Sequence, residues 1–585
     1  MILLEYTEFI ILILSFISAL ISVYWRRTGY IIIIIASVLL SVSAFTLHSY
    51  ITYFALIASI SWIIVSVFSI SYSKDYGKWI TPLFDLTIAG MVLILFSESY
   101  LIFIVGFEIM TMPAYVTILK NRSNHAPSFI FMAFGELSTV FLILGAVISM
   151  VSHGGSLSFV NNSNDYVLLF FSIGCMLKMG IMPFMISEWL PIAHGSAPAN
   201  DSAIFSGTMT LMGVFGIYRV MLLSPTSMYF GLFLMFVGAM TVFFSSLYAY
   251  VSQNMKVLGG FSTMENNGAI LCAMGLYVSV TDTILREFLL SAIIIFAMAH
   301  SIAKSGLFLS IGSTRSEYFG EKSARKRGHD LGTLLIVMSL SGLFPTIGGL
   351  AVWMLLESFF MGAYIHGIIG MASISVGSVI ALAEGFGSAA MLKLFYFSGG
   401  NNVENKVNRK ENDVLLFTGI ILVALFLIST LLILPEYVAG LPSVLVFNGF
   451  TVESSVTGSD FGLVSPVYVF SLVALFSLIA FALFGRPRGR VVPRWEGGIT
   501  TLENYTSSGY SNNIRIMLRS ILRTKISEDR ISVNNIFWSF MVFSGRAYRK
   551  FGGFFGRKFM NSSVSWYMIY MIIAFIFVLF TAALL

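Results

Sequence analysis

The sequence predicts an all-α polytopic membrane protein, and three observations carry that prediction. Hydrophobic residues fill 57% of 585 positions and charged residues 11%; mean hydropathy is +0.88, far from soluble averages. Apolar runs of about 20 residues recur along nearly the whole length. All but four of the 34 lysines and arginines fall in alternate loops, the pattern that stacked spanning helices require.

Taken in order, the apolar runs predict sixteen spans: 7–25, 29–48, 50–72, 80–97, 100–119, 126–151, 166–184, 199–222, 228–250, 256–279, 284–312, 331–364, 369–392, 414–434, 464–484 and 562–584. They divide into N-terminal spans 1–3 (residues 1–79), spans 4–8 (80–222), spans 9–13 (228–400), spans 14 and 15 (401–484), a basic segment (485–561) and a final span (562–585). With the N-terminus outside, every odd-numbered span ends in the cytoplasm. The loops there hold Arg26, Arg27, Lys74, Lys78, Lys120, Arg122 and Lys256, then Arg315 to Arg327, Lys393 to Lys410, and Arg486 to Lys558. Only Lys178, Arg219, Arg286 and Lys304 fall elsewhere, while the opposite loops carry Glu98, Asp165, Asp282, Glu436, Glu453 and Asp460. The expected location is therefore a cell membrane, multi-pass, with N-terminus and C-terminus on the outer side. The net charge of +6 belongs to cytoplasmic loops and does not imply nucleic-acid binding.

The N-terminus carries Glu5 and Glu8 instead of a basic region, so no cleavable signal peptide is expected. Two isolated cysteines, Cys175 and Cys272, cannot ligate an iron–sulfur cluster, and neither CxxC spacing nor a glycine-rich nucleotide loop occurs. No cofactor is expected in this chain.

Lys178 in FSIGCMLKMGIMPF and Lys304 in FAMAHSIAKSGLFLS lie on apolar segments long enough to cross a bilayer. A charge at mid-membrane costs at least ~2.5–3.5 kcal/mol on insertion scales, so such residues mark ion or proton paths. Glu108 lies near the centre of span 5. Burial disfavours the charged form of an acid and of a lysine, and proximity restores it to both. A Glu–Lys pair is thus a switchable proton site, or else a static ion pair that fixes packing.

Spans 7 and 12 read as broken. Pro183 and Pro191 follow Lys178, and SGLFPTIGGL sets Pro345 among Gly342, Gly348 and Gly349. Interrupted helices are tolerated in a membrane where water or protein satisfies the freed backbone groups. Their five-span separation predicts two inverted five-helix repeats, spans 4–8 against 9–13, with Glu108 corresponding to Glu265. Glu265 is a second buried acid or a helix cap. His300, one turn before Lys304, is a proton relay or a structural donor. Glu357 and Glu384 are intramembrane acids suited to terminal and outlet positions, and His194, read as a loop residue, to a water-filled access path. Glu136 faces the interior or a local partner. Arg219, Glu98 and Arg286, near span ends, read as snorkelling anchors.

Together these segments resemble the antiporter-like subunits shared by respiratory complex I, membrane-bound hydrogenases and multisubunit cation/proton antiporters. The Glu108 segment is similar to the family's buried-glutamate motif. KMGIMPFMISEWLPIAHGSAP looks like its lysine–proline motif, SAIFSGTMTLMGVFGIYRV like the next helix, and AHSIAKSGLFLSIGS like its histidine–lysine motif. The resemblance covers about residues 75–400. STMENNGAI and the tail PRWEGGITTLENYTSSGYSNNIR look like the branch of hydrogenase-4 and the formate hydrogenlyase large membrane subunit, with Gly497 in place of that branch's cysteine.

The resemblance implies that Glu108, Lys178, His300 and Lys304 serve ion translocation, and position in the spans adds Glu265, Glu357, Glu384 and His194 as candidates for the same path. The resemblance also implies a lateral amphipathic helix within 513–560 that clasps neighbouring subunits. The partners it implies are other antiporter-like and small membrane subunits, and peripheral redox subunits carrying iron–sulfur clusters and, in the hydrogenase branch, a nickel–iron site. Three departures stand out. Leu211 occupies the place of a span 8 lysine, and Trp353 that of a span 12 acid or lysine, with Glu357 one turn on. The family's histidine before the tryptophan is missing where Met185 to Glu188 read as a short insertion. Besides a redox-coupled translocator, the sequence admits a cation/proton antiporter subunit without redox partners, and a conduction-impaired scaffold.

Overall fold

Apolar segments that cannot trade backbone hydrogen bonds with water must satisfy them internally, so the long runs fold as helices. The computed structural model describes residues 7–47, 51–121, 124–160, 164–181, 188–319, 331–398, 408–432, 445–448, 451–454, 463–464, 466–485, 507–526, 531–532 and 536–559. Pro183, the tryptophan–acid stretch near Gly497 and span 16 lie outside the described residues.

The first spans form α1 (Thr7–Ser22), α2 (Arg26–Leu47), α3 (Ile51–Tyr72), α4 (Ile80–Leu95), α5 (Tyr100–Asn121) and α6 (Ala126–Ser152). Span 7 is α7 (Asp165–Lys178) followed by the short α8 (Trp189–Ser196). Next come α9 (Ala199–Leu222), interrupted by a π-turn at Phe205–Met209, then α10 (Met228–Val251), α11 (Met255–Ser279) and α12 (Thr283–Ser313). Span 12 is α13 (Leu331–Leu340) and α14 (Ile347–Ala363), followed by α15 (Ile368–Phe397), α16 (Arg409–Leu432) and α17 (Pro466–Phe484). Among the described residues nine helices are long and apolar enough to cross a membrane, with α1, α4, α13 and α14 as shorter apolar helices. Side chains start several of them: Asn164 caps α7, Asn254 caps α11 through Lys256 N and Val257 N, and Asp282 caps α12.

Both breaks predicted from sequence are present, and they are built alike. After Lys178 ends α7, Gly180 takes φ +72°, and Ile181 N bonds Met176 O at 3.0 Å. After Leu340 ends α13, Gly342 takes φ +63°, and Leu343 N bonds Met338 O at 3.0 Å. Each is a glycine-terminated helix end in the left-handed conformation. Gly342 therefore stops the helix, with Pro345 in the turn that follows. Gly348 and Gly349, expected to unwind it, lie instead in the first turn of α14. Their reason is packing: a Cβ at Gly348 would stand 1.8 Å from Ser339 O.

The core lies around α9, α11 and α12, which are buried along almost their whole length, whereas α6, α15 and α16 each keep an exposed apolar face. α10 packs on α11, α4 on α5 and α6 on α7, while α12 is flanked by α3, α9, α11 and α14.

Two features depart from an all-helical reading, both outside the spans. Leu445–Asn448, Thr451–Ser454 and Leu463–Val464 form a small antiparallel sheet. The 513–560 segment is not one helix: α18 (Ser507–Met517) and α19 (Arg519–Leu522) end at Arg523, φ +44°, Lys525–Ile526 pairs with Ile531–Ser532, and only then does α20 run over Ile536–Phe559. By internal contacts the chain divides into two units, Met1–Ile514 and Arg515–Leu585. Within the second, α20 mixes exposed Phe540, Phe543, Phe551 and Phe554 with Arg546, Arg549 and Lys550.

Candidate functional site

Two charged centres, each around a buried lysine, are assembled within the first unit. The first is built on α5, α6 and α7. Lys178, 2% exposed, ends α7, where a cation complements the negative end of the helix dipole. Its ammonium donates a short hydrogen bond to Thr111 Oγ1, one turn beyond Glu108 on α5. Thr139 on α6 donates another short bond to Glu108 Oε1. Glu108 and Glu136 are the carboxylates that act electrostatically on Lys178. The ammonium also stands 5.7 Å from the Phe107 ring and 5.9 Å from that of Phe131. Among the described residues no ion pair within 4 Å joins Glu108 to Lys178; the two threonines stand around the acid and the base instead.

The second centre is built on α11, α12 and α15. Lys304, fully buried, donates to Ser262 Oγ at 2.6 Å, and Glu265 and Glu384 supply the opposing charge. Glu265 is 3% exposed and lies inside α11, whose cap is Asn254, so it does not cap a helix. His300 shares Nδ1 with the Asn266 carboxamide at 2.9 Å, while its Nε2 has no hydrogen-bond partner. A cavity of about 20 Å³, room for a single water, is bounded by His300, Asn266, Glu384, Ser339 and Gly348. The break in span 12 thus opens onto the second centre, the setting in which a membrane tolerates irregular backbone.

The structure separates the remaining predicted residues. His194 is not in a loop: it lies on α8, fully buried, with its ring stacked 4.5 Å from Phe308 and both ring nitrogens unpartnered. The segment PIAHGSAP reads as a loop because of its two prolines, but Pro191 falls in the first turn of α8, where proline costs no helical bond. Lys304 and Lys256 both act on His194 electrostatically. Glu357 stands apart from Lys304, 8% exposed, beside a cavity of about 400 Å³ formed with Phe360, Ala363, Tyr364 and Ile374. Arg219 is not a snorkelling anchor. It is 6% exposed, donates to Ser97 O, and lies 3.9 Å over the Phe159 ring.

The sequence reading passed over several polar groups. Asn267 donates to Met179 O at 2.7 Å and so ties α11 to the break in span 7. Asp85 and Asp201 are buried acids that interact electrostatically; Asp85 accepts from Ser18 at 2.7 Å, and neither oxygen of Asp201 has a hydrogen-bond partner. Both stood in apolar runs, TPLFDLTIAG and PANDSAI, and were legible by the rule that singled out Glu108. Away from both centres' lysines, Lys256 pairs with Glu317 at 2.9 Å, and Arg315 with Glu411 at 2.8 Å and Asp75 at 3.0 Å.

With this geometry the chain is similar in sequence and in fold to antiporter-like membrane subunits. Residues 97–334 match the transmembrane family described as NADH:quinone oxidoreductase/Mrp antiporter. The chain is 27% identical over 374 residues to hydrogenase-4 component B of Escherichia coli K12, covering 59% of this chain and 55% of that protein. It is 28% identical over 312 residues to formate hydrogenlyase subunit 3 of the same organism, 49% of this chain and 50% of that one. With NADH-quinone oxidoreductase subunit M of Rickettsia conorii the identity is 26%, over 51% and 61%. The chain thus spans about half the length of the curated relatives it matches. In fold it is similar to a chain of the archaeal membrane-bound sulfane sulfur reductase, with TM-score 0.77 and 16% identity over 97% of this chain and 99% of that one. It is also similar to a chain of the Mrp complex of Dietzia sp. DQ12-45-1b, with TM-score 0.63 and 16% identity over 75% and 97%. By these comparisons the chain is similar to antiporter-like subunits of the complex I, hydrogenase and Mrp type, with the family match over residues 97–334.

Proposed function

We propose that this chain is the proton-translocating membrane subunit of a complex I-related redox complex of the membrane-bound hydrogenase type. Electron transfer occurs in partner subunits, which carry the iron–sulfur clusters and a nickel–iron site; this chain moves the ion. The observation that carries the reading is the pair of buried lysines, each set among hydroxyls and carboxylates and each beside a broken helix. A lysine desolvated in this way holds its proton only while a carboxylate stays close, so relative movement of acid and base loads and unloads it. No carboxylate cage suited to sodium surrounds either lysine among the described residues, which favours protons.

Matching glycine-terminated breaks at Gly180 and Gly342 support two inverted repeats, spans 4–8 and 9–13. The placement of lysines and arginines supports N-terminus and C-terminus outside. The exposed phenylalanines and basic residues of α20 suit a lateral helix along the membrane surface.

One observation favours a second reading. Leu211, 2% exposed on α9, puts an apolar side chain where relatives commonly carry a lysine, as a conduction-impaired scaffold would. The test separates the two. In the purified complex, Lys178→Ala is expected to abolish proton movement while redox turnover persists; unchanged proton stoichiometry would refute translocation through this chain. Copurification identifies the redox partners, and small antiporter subunits in their place would point to a redox-independent antiporter.

A further inference from the structure

The two charged centres lie on different helices, and Leu211 is buried and apolar. What spans the gap is a pair of adjacent asparagines. Asn267 Nδ2 donates to Met179 O at 2.7 Å, the carbonyl directly after Lys178, at the point where the end of α7 removes the next helical donor. Asn266, its neighbour, meets His300 Nδ1 at 2.9 Å, and His300 is one turn from Lys304 on α12. Successive helix positions point about 100° apart, so one turn of α11 reaches the backbone just after Lys178 with one carboxamide and His300 with the other. Asn267 is 1% exposed, and its Oδ1 has no hydrogen-bond partner. A bare buried acceptor is costly, and a water is its usual partner.

We propose that Asn267 is the joint between the half-channels: it fixes the open end of α7 through Nδ2 and anchors through Oδ1 the water that links Lys178 to the His300–Lys304 centre. This rests on the translocation reading above. In the step it positions, one N–H bond of the Lys178 ammonium breaks and its proton passes to the bound water. That water gives a different proton onward, and a new N–H bond forms on the unprotonated Lys304 amine. The carboxamide exchanges no proton, so Asn267 is a positioning residue.

The test uses the complex purified with its native partners and reconstituted in liposomes. A potassium diffusion potential drives proton uptake, read with a pH-sensitive dye. Asn267→Leu is expected to slow uptake roughly tenfold or more, equivalent to about 1.4 kcal/mol or more in the barrier, and Asn267→Ser to stay within about threefold. Asn267→Leu conducting at the wild-type rate overturns the proposal. Should the leucine variant fail to assemble, Asn267→Ser against the near-isosteric Asn267→Cys decides. Serine conducting faster than cysteine supports the water anchor, and equal rates overturn it. Lys178→Ala runs alongside: if it conducts normally, translocation itself is wrong, whereas a silent Lys178→Ala beside a normal Asn267→Leu removes only the joint.

Discussion

A Cβ added at Gly387 would stand 2.4 Å from Glu265 Oε1, so α15 reaches the second centre only because that position has no side chain. Gly387→Ala is expected to displace the carboxylate and slow proton uptake severalfold without loss of assembly. Gly385→Ala, whose Cβ would meet nothing within 4 Å, is the matched control and should conduct normally; equal rates in the two variants would show that the position of Glu265 does not matter. Lys178, Lys304, Glu108, Glu265 and His300 were legible in sequence because ionisable groups inside apolar runs are rare and costly. Thr111, Thr139, Ser262 and Asn267 were not, because neutral polar residues are common in membrane helices and only tertiary packing shows what they hold. His194 was misread as a loop residue because proline was taken as a helix breaker when it sat in the first turn.

At the scale of elements, proline and glycine announced both broken helices, but the residue that stops span 12 is Gly342, and the stop in span 7 falls at Lys178, short of the predicted end. That shift changes the physics of Lys178, since its charge now lies at a helix C-terminus, where the peptide dipole favours it. The second break depends on close approach of its halves: Gly348 of α14 passes under Ser339 O with no room for a methyl group. Gly348→Ala should push α13 from α14 and cost about 1–3 kcal/mol of stability, as overpacking does. A lower thermal unfolding midpoint in detergent would register it, and an unchanged midpoint would mean that the break has slack. The 513–560 segment shows the opposite limit of sequence reading. Its apolar and basic pattern marked an amphipathic helix, yet periodicity alone did not reveal the left-handed Arg523 and the two-strand ribbon that interrupt it.

For the molecule as a whole, composition and the recurring apolar runs sufficed for a helical membrane fold, since polar backbone in lipid must be satisfied internally. They were silent on which faces meet lipid and which meet protein. One residue bears on that. Glu136 lies close to the middle of α6 on its exposed side, on the same face as Val140, 52% exposed, and one position from Leu137, 43% exposed. About 15 Å of helix separates it from Ala126 at 1.5 Å per residue, beyond the reach of a glutamate snorkelling to water. Lipid tails offer a carboxylate neither charge nor hydrogen bond. A neighbouring helix with a lysine or arginine at that depth would complement it, and Glu136 also acts electrostatically on Lys178. A photo-crosslinking residue at Val140 in the purified complex should map to such a helix. Glu136→Lys should loosen the subunit carrying that helix, and reversing the partner's basic residue should restore it. Crosslinks to lipid alone, with an intact complex carrying Glu136→Lys, would leave this face in the bilayer and confine traffic between subunits to other helices.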